Sequence, residues 1–337
     1  MSYQWFIGID VSKQTLDITI LHNSEKKMYE QIVNSVQSIK SFLKKLSDEL
    51  KISLNDCVFC LEHTGIYNSH FLKVMEERKL AVCLESSVQI KQSGGLLRGK
   101  NDKVDSYRIA LYAFKSKEFL KLWQPERNVV RHLRRLSGIR ERLLNAKKQI
   151  SNTIKEDKRF IDKKSSAQML RCCKQSIKAL QEDIKRTEQE IKKVIDCDDR
   201  LKELFSIIES VPGVGKITAT EIVINTNEFK KINDPRKYAC YAGVAPFEHT
   251  SGTSVRGKTR TSKKANLRAK SLLHMTALVA ARFSDDLREY YERKVADGKN
   301  KMNVLNAVKN KIIHRIFACV NQKRLYTNNY KFCLLKS

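Results

Sequence analysis

The sequence predicts an α/β layer fold at the N-terminus, a helical coiled-coil middle and a mainly α C-terminal part. Three observations carry this. Strand and helix signals alternate up to about Gln124; strand signals and nearly all Gly then vanish until about Arg200; helical stretches return from Leu201 around a Gly turn and a basic loop. These shifts divide the 337 residues into segments 1–124, 125–200 and 201–337.

In the first segment WFIGIDVS is a short apolar run, TLDITILH alternates with period two, and KKMYEQIVN reads as a third strand. SIKSFLKKLSDEL has helical spacing, VFCLE is a buried-type strand, NSHFLKVMEERK a helix and AVCLES a further strand. Three strands followed by alternating helix and strand imply a mixed sheet. In the second segment Ile177, Leu180, Ile184, Thr187, Ile191 and Val194 recur at spacings of three and four, an a/d seam. Leu133, Leu136, Leu143 and Ile150 share one face of an earlier helix, which suggests an antiparallel hairpin or an intermolecular coiled coil. The third segment opens with LFSIIESVPGVGKITATEIV, two helices around VPGVG, which resembles a helix-hairpin-helix. Its stretches ANLRAKSLLHMTALVAARF, DDLREYYERKVADG and MNVLNAVKNKIIHRIFACV are helical, and the basic loop from Pro246 to Ala265 is its least regular part.

A net charge of +28 favours a polyanionic partner, nucleic acid first. No run of about 18 apolar residues offers a membrane span, and MSYQWFIGID lacks the parts of a secretion signal, so a cytoplasmic location is expected. Nine cysteines show no disulfide framework. CVFC has CxxC spacing, but in a strand Cys57 and Cys60 point to opposite faces, which argues against shared metal ligation. The cysteines read as reduced and mostly buried.

Four acids stand out. Asp10 follows the apolar run FIGI and Glu62 follows VFCL, positions that are costly for a charge unless it is solvated, paired or metal-bound. Asp102 and Asp105 lie three apart at a helix start and share a face. Each has a plain structural account: helix-start acids favour the macrodipole, Glu62 caps a helix, Asp10 starts a turn. Together they converge only if their two strands are neighbours, as in a ribonuclease-H-like sheet. Carboxylate oxygens are what Mg2+ prefers, and two such ions about 3.5–4 Å apart activate attacking and leaving oxygens of a phosphodiester. Asp17 and Glu85 also lie on or beside strands, without making an equally coherent set.

His249 to Lys270 contains seven Lys or Arg, no acid, and several Ser, Thr and Gly. Arg256, Lys258, Arg260, Lys263, Lys264 and Arg268 suit phosphate binding, as do Gly213, Gly215 and Lys216, where a helix N-terminus presents backbone N–H groups. Thr250, Ser251, Thr253, Ser254 and Ser262 are all hydroxyls in this stretch, and any of them suits phosphate.

The motifs GIDVSK, LEHTGIY, NDKVDSYRIALYA, SVPGVGKITAT, YAGVAPFEHTSGTSVRGKTRTSKKANLRAKSLL and YYERKVADGKNKMNVLNAV occur in that order. With them the chain resembles the DEDD transposases of bacterial insertion sequences, relatives of Piv-type DNA invertases and of RNA-guided bridge recombinases. The middle helices match in type only. The resemblance implies a RuvC-like domain whose Asp10, Glu62, Asp102 and Asp105 bind Mg2+. It further implies a C-terminal transposase domain supplying a serine nucleophile, which maps onto Ser251. It implies double-stranded DNA as substrate, a noncoding guide RNA encoded by the element, and a homo-oligomer (dimer or tetramer) with active sites assembled from domains of different subunits. Ser106, where Ala is commoner, and His63 depart from the family pattern.

A serine has a chemical rationale. Attack by water loses the phosphodiester bond energy, whereas a phosphoserine holds it for resealing; the serine needs activation, and the cations stabilise the transferring phosphate. Two rivals remain at this stage, a hydrolytic RuvC-like endonuclease of the junction-resolvase type and a non-enzymatic nucleic-acid-binding protein.

Overall fold

The computed structural model describes residues 3–93, 101–157, 160, 162–251, 255–262 and 265–328. The chain divides into two compact units, Met1–Pro125 and Glu126–Ser337.

The first unit is built on β1 (Trp5–Val11), β2 (Thr15–His22), β3 (Glu25–Val33), α1 (Val36–Asp48), β4 (Cys57–Glu62), α2 (Ser69–Arg78), β5 (Ala81–Glu85), α3 (Ser87–Ser93) and α4 (Asp102–Lys115). The strand order is β3-β2-β1-β4-β5. β2 runs antiparallel to β1 and β3, while β1, β4 and β5 are parallel. This is a ribonuclease-H-like sheet, with the two acid-bearing strands adjacent as expected. Both sheet faces are covered. Ile7, Ile9, Ile18 and Phe59 join Phe42 and Leu43 of α1 and Phe71 of α2 in one core. Phe6, Leu21, Val58 and Cys60 join Ile109, Ala110 and Ala113 of α4 in the other. Cys57 and Cys60 belong to these two different cores, so the CxxC pair is split across the sheet. Of the described cysteines Cys57, Cys60, Cys83 and Cys319 are buried, whereas Cys172 and Cys197 are exposed on the surfaces of helices or their ends, fewer buried than expected.

The second unit starts with α5 (Asn128–Asp157) and α6 (Lys163–Asp196). They pack on each other within one chain, with Arg140 Nε on Glu188 at 2.7 Å. Of the seam residues, Ile184, Thr187 and Ile191 are buried and the others half-buried. The hairpin is rooted in the core of α7 (Asp199–Glu209), α8 (Lys216–Thr226), α9 (Pro235–Tyr241), α10 (Leu267–Phe283), α11 (Asp285–Ala296) and α12 (Lys301–Asn321) through Val130, Leu133, Ile191 and Ile195. Arg127 fixes that root: its guanidinium donates to Asp198 at 2.8 Å and to the fully buried Glu228 at 2.6 Å.

One expectation changes. The basic stretch is not irregular: β6 (Pro246–Ser251) and β7 (Val255–Thr261) form an antiparallel ribbon. In VRGKTRT the cations alternate with Gly and Thr, a period of two that suits a strand. Its high charge and lack of large apolar residues hid that period. Among the described residues no helix is long and apolar enough to cross a membrane.

Candidate active site and nucleic-acid interface

Register alone lines up the carboxylates. Asp10 faces Asp17 across the β1–β2 pair, and Asp17 faces Gln31 on β3. Ile9 pairs with Leu61, so the next residues, Asp10 and Glu62, lie side by side, and Glu62 pairs with Glu85. Cross-strand neighbours share a face, so one row of the sheet reads Gln31, Asp17, Asp10, Glu62, Glu85.

α4 lies on that face. A Cβ on Gly8, two residues before Asp10, would stand 2.2 Å from the Ser106 carbonyl oxygen and the Ala110 nitrogen. Only glycine admits the helix at that distance. Asp102, Ser106 and Ala110 are four apart and form one stripe, so a helix seated on Gly8 through Ser106 and Ala110 carries Asp102 towards Asp10. Asn101 caps the helix, accepting from the Val104 N–H at 3.0 Å. The Ser106 hydroxyl, fully buried, is 2.8 Å from that of Thr19 on β2. That bond ties α4 to β2.

Electrostatics confirms the gathering. Burial first, then Asp102, Asp105, Glu62 and Asp17, push the Asp10 carboxyl up from 3.8 to about 6. Asp105 accepts from Arg108 Nη1 at 2.8 Å. Among the described residues no three His, Cys, Asp or Glu side chains stand as a group that could hold a metal ion, and Asp105 leans on Arg108. The donor set itself fits a hard divalent cation: all anionic oxygen, on two strand ends and one helix start, under a repulsion that a cation relieves.

The loops around the row are tied down. Asn34 donates to the carbonyls of Ser12 (2.9 Å) and Tyr67 (3.0 Å), and the buried Asn68 donates to that of Glu62 at 2.9 Å. His63 is exposed.

In the second unit, Ser251 ends β6 and its backbone pairs with Val255. Arg256, Lys258 and Arg260 lie along β7. Lys263 and Lys264 lie outside the described residues. The VPGVG turn does join two helices, α7 and α8, and Gly215 and Lys216 are exposed at the N-terminus of α8. Gly213 has a structural reason to be glycine: φ is +83°, and a Cβ would meet the Thr276 carbonyl oxygen of α10 at 2.6 Å. Arg268 is held inside the unit, by Glu221 at 2.9 Å, by Ser137 at 2.7 Å and by Glu141.

Two family models match the chain over most of its length. Residues 7–157 match a DEDD transposase model described as Transposase, and residues 205–292 match the Transposase IS116/IS110/IS902 family. The chain belongs to this family of transposases. The transposase is 22% identical over 326 residues to the pilin gene-inverting protein of Moraxella bovis, covering 95% of this chain and 96% of that one. It is 28% identical over 142 residues to an insertion element IS116 protein of Streptomyces clavuligerus, covering 40% and 35% of the two chains. Among solved structures, a T. thermophilus RuvC bound to a Holliday junction substrate matches 36% of this chain and 100% of its own, at 14% identity and a TM-score of 0.29.

The sequence undervalued two acids of this transposase. Asp17 is buried (2% exposed), accepts from the Tyr29 hydroxyl at 2.5 Å and from Gln31 at 3.0 Å, and stands directly opposite Asp10. Glu85 closes the row and accepts from the Tyr112 hydroxyl at 3.2 Å. Counting residues along each paired strand would have aligned both with Asp10 and Glu62.

Proposed function

We propose that this transposase cuts and rejoins double-stranded DNA through a phosphoserine on Ser251, with Asp10, Glu62, Asp102 and Asp105 as the Mg2+ ligands. The observation that carries the metal part is the seating of α4, which starts with Asp102 and Asp105, over the sheet row that holds Asp10 and Glu62, felt at Asp10 as a carboxyl raised to about 6. When bound, the divalent cation supplies neutralising charge at a transferring phosphate and makes an oxygen a better nucleophile or leaving group.

The chain's own residues divide the remaining work. Asp10 and Glu62, at the ends of parallel neighbours, present carboxylates from a rigid sheet rather than from loops. Asp102 and Asp105 are set by the contact of α4 with Gly8. The Ser251 hydroxyl oxygen bonds to phosphorus while the sugar oxygen leaves and gains a proton; the reverse step reseals the strand without loss of bond energy. Arg256, Lys258 and Arg260 on the same ribbon, with Lys263 and Lys264, hold the phosphates and oppose their charge. Gly215 and Lys216 at the α8 N-terminus provide a second backbone contact. A family containing both transposases and a pilin gene-inverting relative supports exchange rather than simple cutting.

The charge of +28 supports a second polyanion beside the DNA. A noncoding RNA encoded by the element, pairing with donor and target, fits that excess, and a homo-oligomer (dimer or tetramer) brings two DNA ends together.

Strand-break assays with the element's own flanking sequences and Mg2+ test the division of roles. Ser251→Ala and Asp10→Ala should each abolish breaks, by at least about 10³-fold, while retaining DNA binding. Full cleavage by Ser251→Ala, with free phosphate ends, would make the protein a hydrolytic nuclease instead.

A further inference from the structure

Lys309 of α12 is 5% exposed, yet no hydrogen bond or ion pair reaches it among the described residues. Its titratable neighbours are a lysine and a histidine. Lys270 and His274 sit one turn apart on α10, the helix that α12 packs against. Burial and then Lys270 push the Lys309 ammonium below its usual range, and burial and then Lys309 do the same to His274. A buried ammonium beside a second one is costly unless an anion joins it. Two acids of this unit are already engaged, Glu221 with Arg268, and Asp286 with Arg315 and Ser284.

The cluster has a defined place. Lys270 Nζ donates to the Thr261 hydroxyl at 3.1 Å, and Thr261 is the last residue of β7. Asn306, one turn before Lys309, donates to the Val244 carbonyl at 2.7 Å, two residues before β6 begins. The three basic side chains therefore stand at the root of the ribbon whose far end carries Ser251. At about 3.3 Å per residue, the five steps from Pro246 to Ser251 separate root and far end by at most roughly 16 Å.

We propose that Lys270, His274 and Lys309 form a phosphate site at the root of the ribbon, which grips a DNA phosphodiester a few nucleotides from the one that Ser251 attacks. Calling the ligand DNA rests on the function proposed above. The site supplies what Lys309 lacks, an anion with several acceptor oxygens, and it fixes the strand's register along the ribbon before chemistry starts. It is distinct from the cations on β7, which extend along the ribbon itself.

The test is equilibrium binding of full-length protein to a labelled DNA duplex across a range of salt concentrations, with thermal unfolding in parallel. Lys309→Gln should keep or raise the unfolding temperature, because an unpaired buried charge is removed. The same variant should lower DNA affinity about tenfold and reduce the slope of log K against log salt by about 1. Lys311→Gln, an exposed change on the same helix, serves as the charge-matched control and should have a smaller effect on both. If Lys309→Gln fails to fold, Lys270→Gln carries the same expectation for affinity and slope. Unchanged affinity and slope, or an equal loss in Lys311→Gln, would overturn the site while leaving the Ser251 and carboxylate roles standing. Absence of DNA binding by the wild type would overturn both.

Discussion

Asp10 shows how the site is read at the scale of one residue. Its folded-state pKa of about 6 lies above the ordinary 3.8, so between those values the folded protein holds a proton that the unfolded chain has released. Stability without metal therefore falls as pH rises through that window, and the loss is complete above about 6. Asp10→Asn removes this titration. In EDTA its unfolding midpoint should match the wild type near pH 3.8 and exceed it above about pH 6, read by thermal unfolding at a series of pH values. Added Mg2+ should reverse the order by stabilising the wild type more. Midpoints that stay parallel at every pH would contradict the account of crowded carboxylates. Asp17 belongs to the same account: it is buried opposite Asp10, keeps two donors of its own and adds to the negative field.

At the scale of elements, the decisive contact is α4 on β1. Gly8→Ala would drive a Cβ into backbone atoms of Ser106 and Ala110, which cannot rotate away. It should cost about 3 kcal/mol in urea denaturation and also abolish stabilisation by Mg2+, because Asp102 and Asp105 move with the helix. Gly138→Ala on α5, where a Cβ meets nothing within 4 Å, should instead stabilise by about 0.5–1 kcal/mol. The strands and helices of the first unit were legible because apolar runs and alternation are local signals. So was the α5–α6 seam, although only the structure pairs it within one chain. The ribbon was not legible, since charge alternation in VRGKTRT leaves no apolar period to read. α3 and α9, of seven residues each, are too short for a periodic signal. The four acids were legible one by one. The row that joins Asp10 and Glu62, with Asp17 and Glu85 at its flanks, depends on register between distant strands.

At the scale of the whole molecule, the proposed chemistry is divided between two compact units, with carboxylates in the first and a serine on a basic ribbon in the second. The excess of 65 Lys and Arg over 37 Asp and Glu lies mostly in the second unit, as suits a protein that handles long polyanions. Arg268 and Arg127 show that part of this charge is structural, tied to Glu221, Glu228 and Asp198 inside the second unit. The central claim joins the two units in one reaction: the carboxylates are required for Ser251 to become linked to DNA. The most direct measurement purifies the protein with Mg2+ from cells carrying the element's flanking DNA, digests it and searches for a nucleotide-linked peptide by mass spectrometry. An adduct on Ser251 that disappears in Asp10→Ala is the predicted result. Strand breaks with free phosphate ends and no adduct on any hydroxyl of the ribbon would contradict it.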